Sequence, residues 1–192
     1  MGLRDLSFDL ASKETKMANN EVLRIIKDAL KIDDAAMITA FKLSEREVGQ
    51  STITALLKTE DEDGYIPCSD PILGFFLDGL IMLKRGKQEG KPSPTGKPAV
   101  PLTNNAILKK LRIALELQED EMLEILILAG SDISKHELTA LFRKEGHKHY
   151  NECSPQFLRS FLKGLALHYD TALNNLKGDS ENVKNPSAHT RG

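Results

Sequence analysis

The chain lacks the sequence features that would place it in a membrane or outside the cell. Apolar runs such as residues 75–77 and 125–128 are much shorter than the roughly 20 residues that a membrane-spanning helix requires. Residues 3–10 contain three charged side chains, so they lack the apolar centre of a signal peptide. We therefore expect a cytoplasmic protein that does not enter a membrane.

The motifs by which many enzymes are recognised are also absent. The sequence has no glycine-rich phosphate loop, no Gly-x-Ser-x-Gly turn around a nucleophile and no His-Glu-x-x-His zinc motif. Acidic pairs such as Asp33 and Asp34 are explained as helix starts, where a negative charge interacts favourably with the helix dipole. We expect no catalytic residues, no enzymatic activity and no cofactor, since no catalytic constellation is visible.

What the sequence does contain is an internal repeat. Residues 19–84 align with residues 104–169 without a gap, at an offset of 85 positions, and 19 of the 66 aligned pairs are identical. A repeat of this length indicates one small domain used twice, because the units of solenoid proteins are shorter. Domains of this size bury only about 60% of their unfolded surface, so we expect the two to pack together with a shared or abutting core.

The repeat defines the predicted domain organisation. We expect two domains at residues 17–84 and 103–170, joined by a linker rich in Gly, Pro and Lys at residues 85–102. Residues 1–16 form an N-terminal extension and residues 171–192 a polar C-terminal tail, and both are predicted to be disordered.

Apolar residues at helical spacing predict an all-α protein with four helices in each domain. Asn19 or Asn20 is expected to cap the first helix, and Ser134 with Glu137 forms a capping-box pattern before a later one. The helices are predicted at residues 20–31, 34–43, 50–59 and 70–84, and again at residues 105–115, 119–129, 135–144 and 155–169.

Two pairs of repeated residues have a structural interpretation. Gly79 and Gly164 fall inside the fourth helix of each domain. A close helix crossing would explain them, despite a cost of roughly 1 kcal/mol relative to alanine. Cys68 and Cys153 occupy the same site in both copies, which favours small buried residues over a disulfide in a cytosolic protein.

A basic stretch offers the first group of candidate contacts with a partner. Residues 84–112 hold eight basic residues and one acidic residue, although the whole chain has a net charge of -2. Lys109, Lys110 and Arg112 follow the linker on the first helix of the second domain. Such cations bind the phosphates of nucleic acids, but a solvated basic linker is the plainer explanation.

A second group of candidate contacts lies later in the second domain. Residues 126–143 resemble a support helix, a turn and a recognition helix, although three residues separate Gly130 from the capping serine, which is more than helix-turn-helix motifs usually have. Lys135, His136, Thr139 and Arg143 would project from the exposed side of the third helix.

Two histidines and a cysteine in the second domain have the spacing of a metal-binding cluster. His147, His149 and Cys153 follow the pattern His-x-His-x₃-Cys. The first domain keeps Tyr65 and Cys68 in the corresponding segment but lacks both histidines. Because loop histidines are commonly just solvated, we predict no metal site and keep this cluster as the alternative.

The repeated motifs also resemble those of a known family. They are Asn-Asn-x-x-Leu-x₅-Ala-Leu, the Tyr-x-x-Cys-Ser turn and Phe-Leu-x-Gly-Leu, together with the Ile-Ser-Lys-His-Glu-Leu and His-Lys-His-Tyr strings of the second copy. In these motifs residues 17–169 are similar to the bacterial YehS-like family. The resemblance implies a cytosolic bacterial all-helical protein with two copies of a domain of unknown function, and it implies no catalytic or ligand-binding residues.

Two functions of different classes follow from the sequence. The first is a non-catalytic binding or regulatory module that acts on a protein partner, since clefts between helical domains suit a helix or a peptide. The alternative is a nucleic-acid-binding regulator that uses the two groups of contacts above. The copies share the residues that pack helices and differ in exposed charge. Any specific activity is therefore expected on the second copy or between the two.

Overall fold

The computed structural model describes residues 16–86 and 102–182. Within these ranges the chain forms eight helices and no strand, so the all-α prediction is confirmed. The predicted disorder of residues 1–15 and 183–192, and the linker at residues 87–101, lie outside the described residues. The helices are α1 (Asn19–Ala29), α2 (Asp34–Leu43), α3 (Gln50–Leu57), α4 (Asp70–Arg85), α5 (Asn104–Ala114), α6 (Glu119–Leu128), α7 (Lys135–Ala140) and α8 (Pro155–Asn182).

The two repeats share one apolar core. Within each repeat, the second helix packs against the fourth, which gives the pairs α2–α4 and α6–α8. Between the repeats, α1 packs against α8 and α4 packs against α5. The 85-residue offset maps α1 onto α5 and α4 onto α8, so each of these two contacts corresponds to the other. The two repeats are therefore related by an approximate two-fold symmetry. Buried side chains of both repeats form a single cluster, as the small size of each domain predicts.

The glycines of the fourth helices lie where two backbones touch. A Cβ atom on Gly79 would be 1.7 Å from the carbonyl oxygen of Ala40, and one on Gly164 would be 1.9 Å from that of Ile125. Neither distance is compatible with a side chain. The predicted close helix crossings are therefore confirmed, and each crossing joins the second and fourth helices of one repeat.

The repeated asparagines hold tertiary contacts and do not cap the first helices. Helix α1 begins at Asn19, and its N-cap is Ala18, which offers no side-chain hydrogen bond. The predicted asparagine cap was therefore wrong. Asn20 is buried, and its Nδ2 atom donates hydrogen bonds to the carbonyl oxygens of Leu56 (2.8 Å) and Ile66 (2.9 Å). Since buried backbone groups need partners, this side chain ties α1 to the end of α3 and to the loop before α4.

The cysteines are part of the core in both copies. Cys68 and Cys153 are free thiols and both are buried. Burial raises the pKa of each thiol to about 12, so neither supplies a thiolate near neutral pH. The interpretation of both as small buried residues is confirmed.

Two helices differ from their predicted lengths by more than two residues. Helix α7 ends at Ala140 instead of residue 144, because the Ala140 carbonyl accepts a hydrogen bond from the Asn151 backbone (3.2 Å) and the Leu141 carbonyl accepts one from Asn105 Nδ2 (2.8 Å). Helix α8 continues to Asn182, into the tail that was predicted to be disordered from residue 171, and no proline interrupts the sequence before Pro186. None of the described helices is both long enough and apolar enough to cross a membrane.

Candidate binding surface of the second repeat

The predicted cationic contacts are largely engaged with other groups of the chain. Lys110 forms an ion pair with Asp78 of α4. Arg112 donates from Nε to the Leu117 carbonyl (3.3 Å), and its guanidinium carbon lies 4.8 Å from the centre of the Phe142 ring. Both side chains therefore contribute to packing, which lowers their availability to an external phosphate.

Lys135 also has partners within the second repeat. Its Nζ atom lies 2.6 Å from Oδ1 of Asp120 and 3.8 Å from Oε1 of Glu119. The Asp120 carboxylate raises the pKa of Lys135. Thr139, which is exposed, donates its hydroxyl to the Lys135 carbonyl oxygen (2.8 Å).

The other three candidates occupy different surroundings. Lys109 is exposed on α5, and His136 is exposed on α7. Arg143 is only partly exposed and follows the end of α7, so it does not project from that helix as the sequence predicted.

Three histidines of the second repeat lie near one another without Cys153. The ring centre of His149 is 6.3 Å from that of His136 and 5.8 Å from that of His147. Cys153 is buried in the core instead. Among residues 16–86 and 102–171, no three potential ligands are arranged to hold a metal ion.

A cleft of about 360 Å³ opens on the second repeat, between the loop before α7, α7 itself and the start of α8. It is called the α7–α8 cleft below. Its wall combines aliphatic and aromatic side chains with two carboxylates, and no basic group of residues 16–86 or 102–171 belongs to it. The lining residues are Ile133, Glu137, Leu141, Tyr150, Asn151, Glu152, Ser154 and Phe157.

The local sequence fixes the position of this wall. Asn105 donates from Nδ2 to the carbonyl oxygens of Leu141 (2.8 Å) and Asn151 (2.9 Å), and its Oδ1 atom accepts from the Cys153 backbone (2.8 Å). The hydroxyl of Ser154 accepts a hydrogen bond from the Phe157 backbone (3.1 Å), which sets the first turn of α8. The repeated Asn and Cys-Ser residues thus hold the cleft in shape.

Glu137 is fixed at the edge of the cleft by the predicted capping box. The Ser134 backbone and hydroxyl donate to its Oε2 atom at 2.8 Å and 2.7 Å, and the Glu137 backbone donates to the Ser134 hydroxyl at 3.2 Å. These hydrogen bonds hold the pKa of Glu137 below its usual range. The capping box is confirmed, and it keeps a carboxylate at this position.

Negative charge acts on the cleft interior. Burial raises the pKa of the Tyr150 phenol, and the charges of Glu145 and Glu152 raise it further. Glu152 is exposed, so its carboxylate is accessible from solvent. At the positions of Glu137 and Glu152 the first repeat has Thr52 and Pro67. The acidic character of the cleft is therefore a property of the second copy alone.

The second repeat also exposes large apolar side chains at the end of α6. Ile127 is 62% exposed and Leu128 is 45% exposed. The first repeat has Lys42 at the position of Ile127 and a less exposed Leu43 at that of Leu128. From this end of α6 the chain runs directly into Ile133, which lines the α7–α8 cleft.

Neither the cleft nor this apolar end of α6 was predicted from the sequence, in which the cations are the conspicuous surface groups. A comparison of the two copies, position by position, would have indicated both. The relevant differences between the first and the second copy are Lys42 against Ile127, Thr52 against Glu137 and Pro67 against Glu152.

Comparison with known proteins supports the duplication and leaves the function open. A family model described as "Protein of unknown function (DUF1456)" matches the chain twice, over residues 19–86 and residues 104–169. The "Uncharacterized protein YehS" of Escherichia coli (strain K12) is 41% identical over 150 residues, which cover 78% of this chain and 95% of that protein. No solved structure matches the chain.

Proposed function

The chain belongs to the DUF1456 family of proteins of unknown function, and from this premise we propose that it is a non-catalytic module that binds a protein partner through its second repeat. The observation that carries the proposal is the exposed apolar end of α6. An isoleucine that is 62% exposed stands at position 127, where the first copy of the same scaffold has a lysine.

Exposure of large apolar side chains to water is unfavourable, and burial against a partner removes this free-energy cost. Contiguous apolar patches on a surface commonly mark sites of protein–protein interaction. Ile127 and Leu128 are consecutive, and the cleft that begins at Ile133 offers a second apolar surface on the same repeat. The proposal places the partner on this part of the second repeat.

The described chemistry supports binding over catalysis. The most nucleophilic side-chain type in the chain, cysteine, occurs only at Cys68 and Cys153, and burial raises the pKa of both thiols to about 12. The residues that both copies keep serve packing, as the contacts of Asn20, Gly79 and Gly164 illustrate.

Capture from a cell extract with two variants at one position tests the proposal. Ile127→Lys installs the residue of the first copy, and Ile127→Leu keeps an apolar side chain of the same size. After chemical crosslinking and quantitative mass spectrometry, we expect the wild type and Ile127→Leu to retain a shared partner that Ile127→Lys loses. An identical set of captured proteins for both variants would contradict the proposal.

A nucleic-acid partner is the second candidate, because one loop changes its charge between the copies. Glu62 and Asp63 of the first repeat correspond to His147 and Lys148 of the second, and the latter two are exposed. Binding of a mixed DNA and RNA pool across a salt series tests this candidate. Affinity that falls steeply with salt would support it, and no binding at low salt would exclude it.

A further inference from the structure

The α7–α8 cleft has the size and the rigidity of a preformed site. Its volume of about 360 Å³ lies within the range of roughly 300–1,000 Å³ that small-ligand pockets occupy. Three hydrogen bonds of Asn105 and the capping box of Ser134 and Glu137 hold its wall. A guest in this cleft would therefore find the wall already in place, which lowers the entropic cost of binding.

The charge of the wall selects the chemistry of the guest. Glu137 and Glu152 supply two carboxylates, and none of the lysines, arginines or histidines that the structure describes lines the cleft. The rise in the pKa of Tyr150 shows that Glu152 acts on the cleft interior, although burial is the larger cause. A guest with a carboxylate or a phosphate would be repelled by both glutamates, whereas a cation would be attracted.

The apolar part of the wall suits a cation on a long apolar stem. Tyr150 and Phe157 present aromatic rings, over which ammonium and guanidinium groups bind favourably. Ile133 and Leu141 provide an aliphatic surface for methylene groups or for a neighbouring apolar side chain. Lysine and arginine side chains combine these two properties.

We propose that the α7–α8 cleft binds a lysine or arginine side chain that a protein partner presents next to an apolar residue. This inference rests on the proposed function and names the partner's contact. The first repeat provides an internal comparison, since it has Thr52 and Pro67 in place of the two glutamates. The corresponding surface of the first repeat, which includes Tyr65, does not bind such a side chain.

A titration of the ¹⁵N-labelled full-length protein followed by NMR tests this inference. The probes are acetyl-leucyl-arginine amide and acetyl-leucyl-glutamate amide, which share an apolar residue and differ in the sign of the charge. We expect the arginine probe to shift the amide resonances of Tyr150 and Asn151 in a saturable way, while the resonance of Tyr65 stays in place. The glutamate probe is expected to leave all three unchanged.

Variants of the glutamates identify the cause of any binding. Glu152→Gln should weaken the affinity for the arginine probe by about two- to five-fold, the effect of losing one partly exposed ion pair. Glu124→Gln, on the exposed side of α6, is the matched control and should leave the affinity unchanged. In Glu137→Gln/Glu152→Gln the preference for the arginine probe should disappear, and glutamine at position 137 still serves the capping box.

The outcomes separate this inference from the proposed function. Equal shifts with both probes, no shift with the arginine probe, or an affinity that the double variant does not change would each overturn the inference. None of these results depends on the capture experiment with Ile127→Lys. If that capture succeeds while the cleft ignores the arginine probe, the module binds its partner without this cleft. If the arginine probe binds and no partner is captured, the inference about the cleft is supported and the proposed function is contradicted.

Discussion

Arg159 of α8 and Glu21 of α1 form a two-pronged ion pair that joins the second repeat to the first. The Nε atom of Arg159 lies 3.0 Å from Oε1 of Glu21, and its Nη2 atom lies 3.1 Å from Oε2. The 85-residue offset maps these residues onto Gly74 and Ala106, so the symmetry that relates the repeats does not reproduce the pair. This contact distinguishes the two halves.

The other contact between the repeats has its own ion pair, formed by Lys110 and Asp78. These residues map onto Ile25 and Lys163, so this pair also occurs once. If two first repeats met through the same surfaces, Asp78 would face Ile25 and would lose its cation. Charge complementarity therefore favours pairing of unlike repeats over pairing of like ones.

Replacement of Arg159 tests how much the ion pair of Arg159 and Glu21 contributes to stability. Arg159→Ala should lower the free energy of unfolding by about 0.5–1 kcal/mol, because the pair is bidentate but partly exposed. The ion pair of Lys31 and Asp170 is half exposed on both sides. Lys31→Ala should therefore cost less than about 0.5 kcal/mol. Urea denaturation measures both changes, and equal losses would contradict this ranking.

The close crossing at Gly79 predicts a large effect of one methyl group. Gly79→Ala places a Cβ atom 1.7 Å from the Ala40 carbonyl oxygen, so α2 and α4 must move apart. We expect a loss of about 1–3 kcal/mol, as for other overpacked sites.

Gly74 in the same helix is the matched control, since an added Cβ atom would meet no atom of the described residues within 4 Å. Gly74→Ala should raise stability by about 0.5–1 kcal/mol through helix propensity. Thermal unfolding of the two variants should therefore shift in opposite directions. A shift of the same sign in both would show that the crossing at Gly79 is not tight.

Asp70 predicts a dependence of stability on pH. Burial opposes its ionisation, but hydrogen bonds from Lys16, Asn19 and the Leu102 backbone outweigh burial and keep its pKa below the usual range. The stabilising contribution is present above the unfolded pKa of about 3.9 and is lost as the pH falls through the folded pKa.

Asp70→Asn should therefore be less stable than the wild type near neutral pH and should lose less stability on acidification. Urea midpoints measured between about pH 6 and pH 3 test this. The exposed Asp132 provides the control Asp132→Asn, which should keep the slope of the wild type. Parallel curves for the wild type and Asp70→Asn would contradict the assignment.

The hydrogen bonds of Asn105 should limit the access of a thiol reagent to Cys153. Asn105→Ala removes the partners of three backbone groups around Leu141, Asn151 and Cys153, and we expect a loss of about 2–4 kcal/mol. The loop before α8 should then open more often. A thiol reagent should label Cys153 faster in this variant, while the labelling rate of Cys68 should stay as in the wild type. An equal acceleration at both cysteines would indicate global unfolding instead.

Sequence alone predicted the helices because their apolar residues recur at helical spacing, as Leu23 and Ile26 do in α1. The sequence led to the wrong role for Asn20, because an asparagine just before a helical pattern is typical of an N-cap. In the structure its side chain donates hydrogen bonds to residues 36 and 46 positions away. Nor could it specify that α1 packs against α8, because an apolar stripe does not identify the surface that covers it.

The candidate site was harder to predict for a related reason. Cations such as Arg112 are conspicuous in a sequence, but their partners within the fold are not, and Phe142 engages this guanidinium. Glu137 was interpreted only as a capping residue, which it is. Its second role at the edge of the α7–α8 cleft depends on Tyr150 and Phe157, which only the folded chain brings to the same wall.

We propose that the second copy carries the partner-binding surface and that the first copy is scaffold. Photo-crosslinking in cells of the source organism tests this directly, with p-benzoylphenylalanine placed either at position 127 or at position 42. Both positions are exposed and correspond to each other in the two copies. We predict a discrete crosslinked protein from position 127 and none from position 42. A crosslink of equal yield from both positions, or from position 42 alone, would contradict the account.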